Sequence, residues 1–353
     1  MAEEEEVKDI KEVDKPSEIR SRLRQFRVKD HQQDQQDQKQ QTEEEEFTKI
    51  REEEYDKMSE MGPHCVHQVW IQGLEHFKET QPDFYKFSLT LKEHYHDYYY
   101  KLWGEKDALP LIEAYSPELL TAYRAAPNYP SKSDIIRYVV LRRFGGLYVD
   151  TDYESFKRCD YLFDDEKIDL CIVAMNLTKN KLLFGNYKYN NAWIFARPGC
   201  IYLKYMLDRI AQHPFSEKLY SKFQYTWEIT GPKGITDLEK QYQLAKKDNV
   251  RVFDHNMIEV GDFSNIEVTF HTRDQVLDQF PFAVGIHRMH GSWIQNATGL
   301  KNTFGRFYTW VTSWSDFIHI GLLVVPIILL IVVLTSWRIH KYRQNKKSLL
   351  AKR

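Results

Sequence analysis

The sequence predicts an α/β fold in which helices cover a parallel or mixed sheet. Between Pro63 and Trp310, runs typical of buried strands alternate with runs typical of helices. That alternation is the pattern of sheets built from strand–helix–strand units. The chain has 353 residues, 42% of them hydrophobic, which is enough for one large core or for two domains.

The predicted strands are short and apolar. They are His64–Ile71, Tyr98–Trp103, Leu147–Asp150, Ile168–Ala174 and Ala192–Ala196. A polar, helix-compatible stretch follows the first strand and ends at Lys92. The predicted helices beyond it are Leu109–Tyr123, Ser131–Phe144 and Cys200–Gln212. The sequence contains no internal repeat.

The helix Ser131–Phe144 leads directly into the strand that carries the most polar motif of the chain. Its apolar pattern predicts an amphipathic helix with Ser131 or Ser133 as N-cap. Gly145 and Gly146 follow at once, and glycine accepts the left-handed conformation that often ends a helix. We therefore expect the helix to fold back beside the strand.

Three carboxylates stand at alternate positions at the end of that strand: Asp150, Asp152 and Glu154. Because side chains alternate between the faces of a strand, the sequence predicts all three on one face, where they repel each other. Paired carboxylates suit a hard divalent cation. A bare Asp-x-Asp pattern is weak, since carboxylates solvated at a turn show it too. Its place at a strand's carboxyl end, where ligands bind in open α/β sheets, favours a site.

Composition excludes some classes of partner and site. The net charge is −2, without the basic footprint of a nucleic-acid-binding protein, so no nucleic-acid partner is predicted. The four cysteines form no CxxC pair, so a zinc site of the usual spacing is not expected. Cys171 and Cys200 lie in apolar surroundings, which favours buried free thiols.

The two ends of the chain differ from its middle. Residues 1–61 are rich in acidic residues and glutamine, which predicts a disordered or partly helical, solvated arm without a cleavable signal peptide. Residues 317–337, FIHIGLLVVPIILLIVVLTSW, carry no formal charge and are flanked by tryptophans and a tyrosine. That length and composition predict a transmembrane helix, followed by a basic tail at 338–353.

The stretch SKSDIIRYVVLRRFGGLYVDTDYE, residues 131–154, closely resembles the sugar-binding region of glycosyltransferase family 32, whose members carry an Asp-x-Asp motif. In that family, a helix with Asp and Arg leads through Gly-Gly into a strand ending in this motif. Five more segments resemble the family in the same order. They are HQVWIQG (67–73), YYYKLWGEKD (98–107), NNAWIFARPG (190–199), ITGPKGITD (229–237) and GIHRMHGSW (285–293).

The resemblance implies a GT-A type, Rossmann-like nucleotide-sugar-binding domain, here residues 62–312, and assigns a metal site. By position, Asp152 corresponds to the main carboxylate ligand and His287 to a third ligand. Asp150 corresponds to a contact with the ribose or donor sugar that also belongs to the metal site. Mn²⁺ suits such a mixed oxygen and nitrogen set, with Mg²⁺ as second choice.

The resemblance also implies donor-binding residues. Asp134 and Arg137, at i and i+3 of the helix, correspond to residues that hold the donor hexose or its phosphate; with Asp150 and Asp152 they are the predicted catalytic set. Asn191 corresponds to a residue near the transferred sugar. Two pairs complete the predicted donor site: Ser292 and Trp293 in a loop over the diphosphate, and Gln68 and Trp70 beside the base. For Trp70, core packing is an equal alternative.

The function that the resemblance implies is metal-dependent, retaining transfer of a hexose from a nucleotide sugar to a glycan or glycolipid. Mannose from GDP-mannose is favoured, and UDP-galactose, UDP-glucose and UDP-N-acetylglucosamine stay open. The nucleophile is unassigned among Asp134, Glu154 and front-face attack without one. The alternative from another class is a membrane-anchored protein that binds sugars or nucleotide sugars without turnover.

Two features of the sequence conflict over location. An apolar span near the carboxyl end without a signal peptide predicts a tail anchor that leaves the enzyme in the cytosol. The basic residues after Trp337 predict a cytosolic tail, and therefore a catalytic domain in the lumen. The expectation leans toward a single-pass, lumen-facing enzyme of the Golgi or another endomembrane.

Overall fold

A computed structural model of the chain describes residues 44–175, 188–260, 268 and 271–288. The strands in these ranges are short and mostly buried. They are β1 Cys65–Val69, β2 Tyr99–Trp103, β3 Gly146–Val149, β4 Tyr153–Ser155, β5 Leu170–Ala174, β6 Tyr189–Ala196, β7 Val250–Asp254 and β8 Gly285–His287. The five predicted strands are therefore confirmed as β1, β2, β3, β5 and β6, with ends that differ by up to three residues.

Helices occupy most of the remaining described chain. They are α1, residues 44–61, then α2 Leu74–Thr80, α3 Pro82–His94, α4 Glu105–Tyr115, α5 Pro117–Ala125, α6 Tyr129–Phe144, α7 Ile201–Gln212, α8 Pro232–Tyr242, α9 His255–Ile258 and α10 Arg273–Gln279. A single helical turn, Lys222–Gln224, leads into a π-helix, Tyr225–Thr230. Short 3₁₀ turns lie at Asp160–Leu162 and Leu244–Lys246.

Six strands form one mixed sheet in the order β2-β1-β3-β6-β5-β7. β1 is parallel to β2 and β3, and β5 is parallel to β7. β6 is antiparallel to both of its neighbours, β3 and β5. The amino end of β6 therefore lies at the same sheet edge as the carboxyl ends of β1 and β3. The strands β4 and β8 pair in a separate antiparallel ribbon.

Helices and loops cover both faces of the sheet, as the α/β prediction requires. Side chains of β3 alternate between two hydrophobic clusters. Tyr148 packs in the larger cluster with residues of α4 to α8. Leu147 and Val149 pack in the smaller cluster with Trp193 and with Leu91 of α3. All four cysteines are buried and free, as predicted for two of them.

The connection between α6 and β3 depends on two glycines. Gly145 ends α6 with a φ of 71°, and Gly146 begins β3 with a φ of 103°. A Cβ on Gly145 would lie 2.4 Å from a carbon of Pro198, and one on Gly146 would lie 2.4 Å from the carbonyl oxygen of Cys65. The turn thus needs glycine both for its backbone angles and for the close approach of neighbouring chain.

The predicted start and character of α6 were wrong. The helix begins at Tyr129, and its N-cap is Asn128, whose side chain accepts a hydrogen bond from the Ser131 amide at 2.9 Å. Pro130 lies in the first turn, where a missing N–H costs no helical bond. The helix is not amphipathic over its central turns, because all residues from 134 to 141 are buried. It packs between the sheet, α4, α7 and the π-helix.

The predicted single helix Leu109–Tyr123 is two helices, α4 and α5. Ser116 separates them in an extended conformation and caps α5 by accepting a hydrogen bond from the Leu119 amide. Pro117 occupies the first position of α5, which favours a new helix start over continuation.

The arm contributes one described element, α1. Met58 is fully buried in the main core, and the Tyr55 ring packs 5.4 Å from the ring of Phe144. Lys101 Nζ lies 2.5 Å from Glu54 and 3.2 Å from Asp107, which ties α1 to β2 and α4. α1 is therefore half embedded, with its glutamate-rich face in solvent, whereas the sequence alone had indicated a solvated helix.

The transmembrane prediction lies outside the described residues. The chain divides into two units, Met1–His290 and Gly291–Arg353, and the predicted span 317–337 belongs to the second. Among the helices that the structure describes, none combines the length and the hydropathy needed to cross a bilayer.

Candidate active site

The candidate site lies at the sheet edge where β1 and β3 end. Asp150 follows β3 directly, and its amide donates to the Ala192 carbonyl at 2.8 Å. The chain then turns through Thr151 and Asp152 before entering β4. The expectation that three carboxylates share one strand face is therefore wrong, because β3 ends at Val149 and Glu154 belongs to the other sheet.

Asp150 is held through both its carboxylate and its backbone. Its Oδ1 accepts a hydrogen bond from the Tyr148 hydroxyl at 2.7 Å and lies 3.1 Å from Arg137 Nη2. Gln68 Nε2 donates to its carbonyl oxygen at 3.1 Å. Burial raises the pKa of Asp150; the Arg137 charge opposes this, and the Asp152 charge adds to it. The side chain remains 26% exposed, so it is accessible to a ligand.

Asp152 and His287 meet because β4 pairs with β8. The register places His287 opposite Tyr153, and its Nε2 lies 3.0 Å from Asp152 Oδ1 and 3.9 Å from Asp150 Oδ2. Burial lowers the pKa of His287, but the charge and hydrogen bond of Asp152 outweigh burial and raise it to about 9. With this raised pKa, His287 is a cation between two carboxylates at neutral pH.

These three residues fit a divalent cation. Asp150, Asp152 and His287 each offer one ligand atom, all within 4.8 Å of one another, and they form the metal-ligand cluster found among the described residues. Two oxygens and one nitrogen suit Mn²⁺ or Mg²⁺. Nε2 is the ring nitrogen of His287 that faces both aspartates.

A second cluster lies beside the first, around Asp134 of α6. Asp134 Oδ1 lies 3.0 Å from Arg137 Nη2 and accepts from Asn191 Nδ2 at 2.8 Å. Its Oδ2 accepts from Thr230 Oγ1 at 2.8 Å. Burial raises the pKa of Asp134 to about 6, and the charge of Arg137 limits the rise.

Arg137 joins the two clusters. Its guanidinium contacts both Asp134 and Asp150, and Nη1 donates to the Asn191 carbonyl at 2.5 Å. The guanidinium also lies 4.4 Å above the ring of Tyr148. Its buried Nε has no acceptor within the described ranges. A buried cation with a spare donor is suited to an anionic ligand such as a phosphate.

Asn191 reaches this site because β6 is reversed. Residues Tyr189 to Asn191 begin β6 at the same edge where β3 ends, and the Asn191 amide group bridges Asp134 and the Tyr138 hydroxyl. An all-parallel sheet would place this end of the strand at the opposite edge. The contacts of Asn191 with Asp134 and Arg137 are thus a consequence of the sheet topology.

Three side chains in these clusters were not predicted: Tyr138, Tyr148 and Thr230. Tyr138 donates to the Thr230 carbonyl at 2.7 Å, which ties α6 to the π-helix. π-Helical turns are rare and often mark functional sites. Thr230 precedes Gly231 and Pro232 within the recognised ITGPKGITD segment, and its place in that segment is the signal by which the sequence could have revealed it. Tyr138 and Tyr148 have no such signal, because tyrosine is common in protein cores.

The two residues predicted beside the base make mainly structural contacts. Gln68 is fully buried and links the Tyr100 hydroxyl, at 2.7 Å, to the Asp150 carbonyl. Trp70 is partly exposed, donates to His76 Nδ1 at 3.1 Å, and packs 4.9 Å from Phe77. Gln68 lies in β1 and Trp70 directly follows it, at the sheet edge that holds the site. Ser292 and Trp293 lie outside the described residues.

Glu154, left unassigned by the sequence, forms an ion pair across the ribbon. Arg288 Nε donates to Glu154 Oε2 at 2.9 Å, and a second guanidinium nitrogen contacts the same oxygen. Glu154 lies outside the three-residue ligand cluster. Each of the three acidic residues after β3 thus has its own cationic partner: Arg137, His287 or Arg288.

Comparison with known proteins identifies the region that contains this site. Residues 68–169 match the family model described as a glycosyltransferase sugar-binding region containing DXD motif. These residues include the end of β1, all of α6 and β3, and both aspartates of the motif. The predicted resemblance to a glycosyltransferase sugar-binding region is therefore confirmed for residues 68–169.

Several curated relatives of this region are mannosyltransferases. Inositol phosphoceramide mannosyltransferase 3 of Schizosaccharomyces pombe is 30% identical over 31% of this chain and 29% of its own length. Initiation-specific alpha-1,6-mannosyltransferase of Candida albicans is 32% identical over 30% and 28%, respectively. Mannosyl phosphorylinositol ceramide synthase CSH1 of Saccharomyces cerevisiae is 25% identical over 31% and 27%. The matched stretch thus spans less than a third of each of these relatives.

Among solved structures, a galactosyltransferase LgtC complex with donor and acceptor sugar analogs aligns with 70% of this chain and 95% of its own. The identity is 11% and the TM-score is 0.35. The resemblance to glycosyltransferases therefore comes from the family match and the curated relatives.

Proposed function

We propose that this protein is a metal-dependent glycosyltransferase that moves a hexose from a nucleotide sugar to a glycan or glycolipid acceptor. The observation that carries the proposal is the convergence of Asp150, Asp152 and His287 at the carboxyl end of β3, with ligand atoms within 4.8 Å of one another. The buried pair Asp134–Arg137 beside them supplies groups for a sugar and a phosphate. In this proposal the domain is of the GT-A type.

Asp150, Asp152 and His287 are the residues that would hold the cation, with Mn²⁺ favoured over Mg²⁺. When bound, such an ion supplies Lewis-acid stabilisation of the negative charge that develops on a departing diphosphate. The protein's part is to fix the two carboxylates. Tyr148 and Arg137 orient Asp150, and the β4–β8 pairing brings His287 to Asp152.

Arg137 and Asp134 are proposed to bind the donor. Arg137 is 4% exposed and Asp134 is 5% exposed, so their charges act where little water screens them. The Arg137 guanidinium would donate to a phosphate or sugar oxygen, and Asp134 would accept from sugar hydroxyl groups. Asn191 completes this part of the site, with Gln68 and Trp70 proposed beside the base.

The proposed stereochemical outcome is retention. The local contacts argue against Glu154 as a nucleophile. Glu154 shares its Oε2 with two guanidinium nitrogens of Arg288, which makes it a poor nucleophile. Asp134 accepts from Asn191 and Thr230 and pairs with Arg137. We therefore favour front-face attack assisted by these fixed groups, with Asp134 as the carboxylate to test.

Mannose from GDP-mannose is the favoured donor because the curated relatives named above are mannosyltransferases. The names of two of them contain inositol phosphoceramide or its mannosylated product, which supports a glycolipid acceptor. A UDP-sugar donor of the same fold is the alternative. Residence in the Golgi or another endomembrane, through the span predicted at 317–337, is part of the proposal.

The test is a hydrolysis assay that needs no acceptor. The full chain, purified in detergent with Mn²⁺, is offered GDP-mannose, UDP-galactose, UDP-glucose and UDP-N-acetylglucosamine, and the free nucleoside diphosphate is measured. We expect release from GDP-mannose above the others. Binding of a nucleotide sugar without release, repeated across a panel of glycan and glycolipid acceptors, would favour the binding-protein alternative instead.

A further inference from the structure

The ribbon of β4 and β8 carries two of the three residues of the proposed metal site. Asp152 immediately precedes β4, and His287 ends β8. The Arg288 amide donates to the Asp152 carbonyl at 2.9 Å, so the backbones of the two ligand positions are joined. The ribbon lies outside the six-stranded sheet, and contacts of its own must therefore hold it in register.

One ion pair, next to those ligands, joins β4 to the residue that follows β8. Glu154 lies two residues after Asp152, and Arg288 lies one residue after His287. Arg288 Nε and a second guanidinium nitrogen both contact Glu154 Oε2, and Nη1 donates to the His271 carbonyl at 2.7 Å. The side chains are 13% and 19% exposed for Arg288 and Glu154, so this is not a solvated surface pair.

We propose that Glu154 and Arg288 are positioning residues that fix the separation of Asp152 and His287 for a divalent cation. This inference rests on the metal site of the proposed function. A guanidinium bound both to Glu154 of β4 and to the His271 carbonyl restrains the backbone of Arg288, which is adjacent to His287. The acidic residue that follows the Asp-x-Asp motif thus acts through Arg288, not as a metal ligand or as a nucleophile.

The expected effect follows from the cost of losing groups that orient metal ligands. Removal of such an outer partner typically weakens metal binding by about 10- to 100-fold. Glu154→Gln keeps the shape and one acceptor oxygen but removes the charge that pairs with Arg288. We expect it to weaken Mn²⁺ binding by about tenfold or more at unchanged stoichiometry. Arg288→Lys, which keeps the charge but loses the forked donor geometry, should give a smaller loss.

The control is a second ion pair of comparable burial that is distant in sequence from Glu154 and Arg288. Glu54 and Lys101 are 29% and 14% exposed and join α1 to β2. Glu54→Gln should lower the melting temperature to a degree similar to Glu154→Gln while leaving Mn²⁺ affinity unchanged. If Glu154 only stabilises the fold, the two variants should have the same effect on the melting temperature and on the Mn²⁺ affinity.

The experiment measures Mn²⁺ binding by the metal-stripped full chain, using the electron paramagnetic resonance signal of free Mn²⁺, together with the melting temperature. Weaker binding by Glu154→Gln, with affinity retained in Glu54→Gln, supports the positioning pair. Unchanged affinity in Glu154→Gln, or equal losses in both variants, overturns it while leaving the metal site intact. A wild-type chain that binds no Mn²⁺ overturns the metal site itself and the proposed function with it.

Discussion

At the residue scale, the site tolerates three nearby carboxylates because the protein supplies a cation for each. Arg137 faces Asp150, His287 faces Asp152, and Arg288 faces Glu154. Of these cations, His287 is the one that can lose its proton and become a metal ligand. Arginine keeps its charge in proteins, so the other two pairs persist whether or not an ion is bound.

A different histidine, His67 of β1, is held neutral by its surroundings. It is fully buried; Trp103 Nε1 donates to its Nδ1 at 3.1 Å, and its Nε2 lies 2.8 Å from the Gly145 carbonyl. Nε2 therefore carries the proton and Nδ1 accepts. Burial lowers the pKa of His67 from 6.5 to about 4, against the opposing effect of the Gly145 hydrogen bond.

This predicts that His67 makes the folded chain less stable in acid. The unfolded chain binds a proton at His67 near pH 6.5 and the folded chain only near pH 4, so the contribution of this residue to stability falls as the pH drops through this window. The full loss is on the order of 3 kcal/mol. His67→Gln offers the same donor and acceptor without titrating, so its urea midpoint should fall less between pH 7 and pH 5.

The control replaces the exposed His213 by glutamine, which should leave the wild-type pH dependence in place. If His67→Gln and the wild type lost stability in parallel over this range, the neutral buried histidine would not be the cause.

The residues of the site differ in how far sequence could reveal them. Asp150, Asp152 and His287 stand in recognisable motifs, and the structure brings their ligand atoms together. Tyr148 was missed because a tyrosine in a strand has no distinctive pattern, and Thr230 was missed although it lies in the recognised ITGPKGITD segment. Only the folded geometry shows that their hydroxyl groups bond Asp150 and Asp134.

At the element scale, the site depends on where β3 begins and ends. The two-glycine turn fixes its start against β1 and the Pro198 loop. Its end was misjudged from sequence because the alternation of acidic residues continues beyond Val149. The pairing of β3 with β6 ends at Val149, and the chain next pairs as β4 with β8. The sequence pattern does not encode this change of partner.

Replacement of Gly146 by alanine tests the role of this turn. Its Cβ would meet the Cys65 carbonyl oxygen at 2.4 Å, in addition to the strain of a φ of 103°. Gly199 is the matched control, since it has a φ of 78° and no heavy atom within 4 Å of a Cβ. Gly199→Ala should cost about 1–2 kcal/mol of unfolding free energy, and Gly146→Ala clearly more.

Urea unfolding of the two variants and the wild type gives the comparison. Equal losses would mean that β1 moves away from the added methyl group at little cost, and the turn would not be a fixed reference for the site.

At the scale of the whole molecule, one edge of the mixed sheet gathers the chemistry from distant parts of the chain. Asp134 and Arg137 come from α6, Asn191 from the reversed β6, and His287 from the ribbon. The alternation of strands and helices could be predicted from periodicity. The reversal of β6 and the docking of α1 could not, because both depend on long-range packing.

The central claim is that this edge is a metal-dependent transferase site, and Asp152 tests it most directly. The measurement is Mn²⁺-dependent release of nucleoside diphosphate from GDP-mannose, or from whichever donor is most active, by the full chain. Wild-type release should rise with Mn²⁺ and vanish in EDTA. Asp152→Ala should lower it by about 100-fold or more, while replacement of the exposed Asp83 by alanine should not. Full release by Asp152→Ala, or by the wild type in EDTA, would contradict the account.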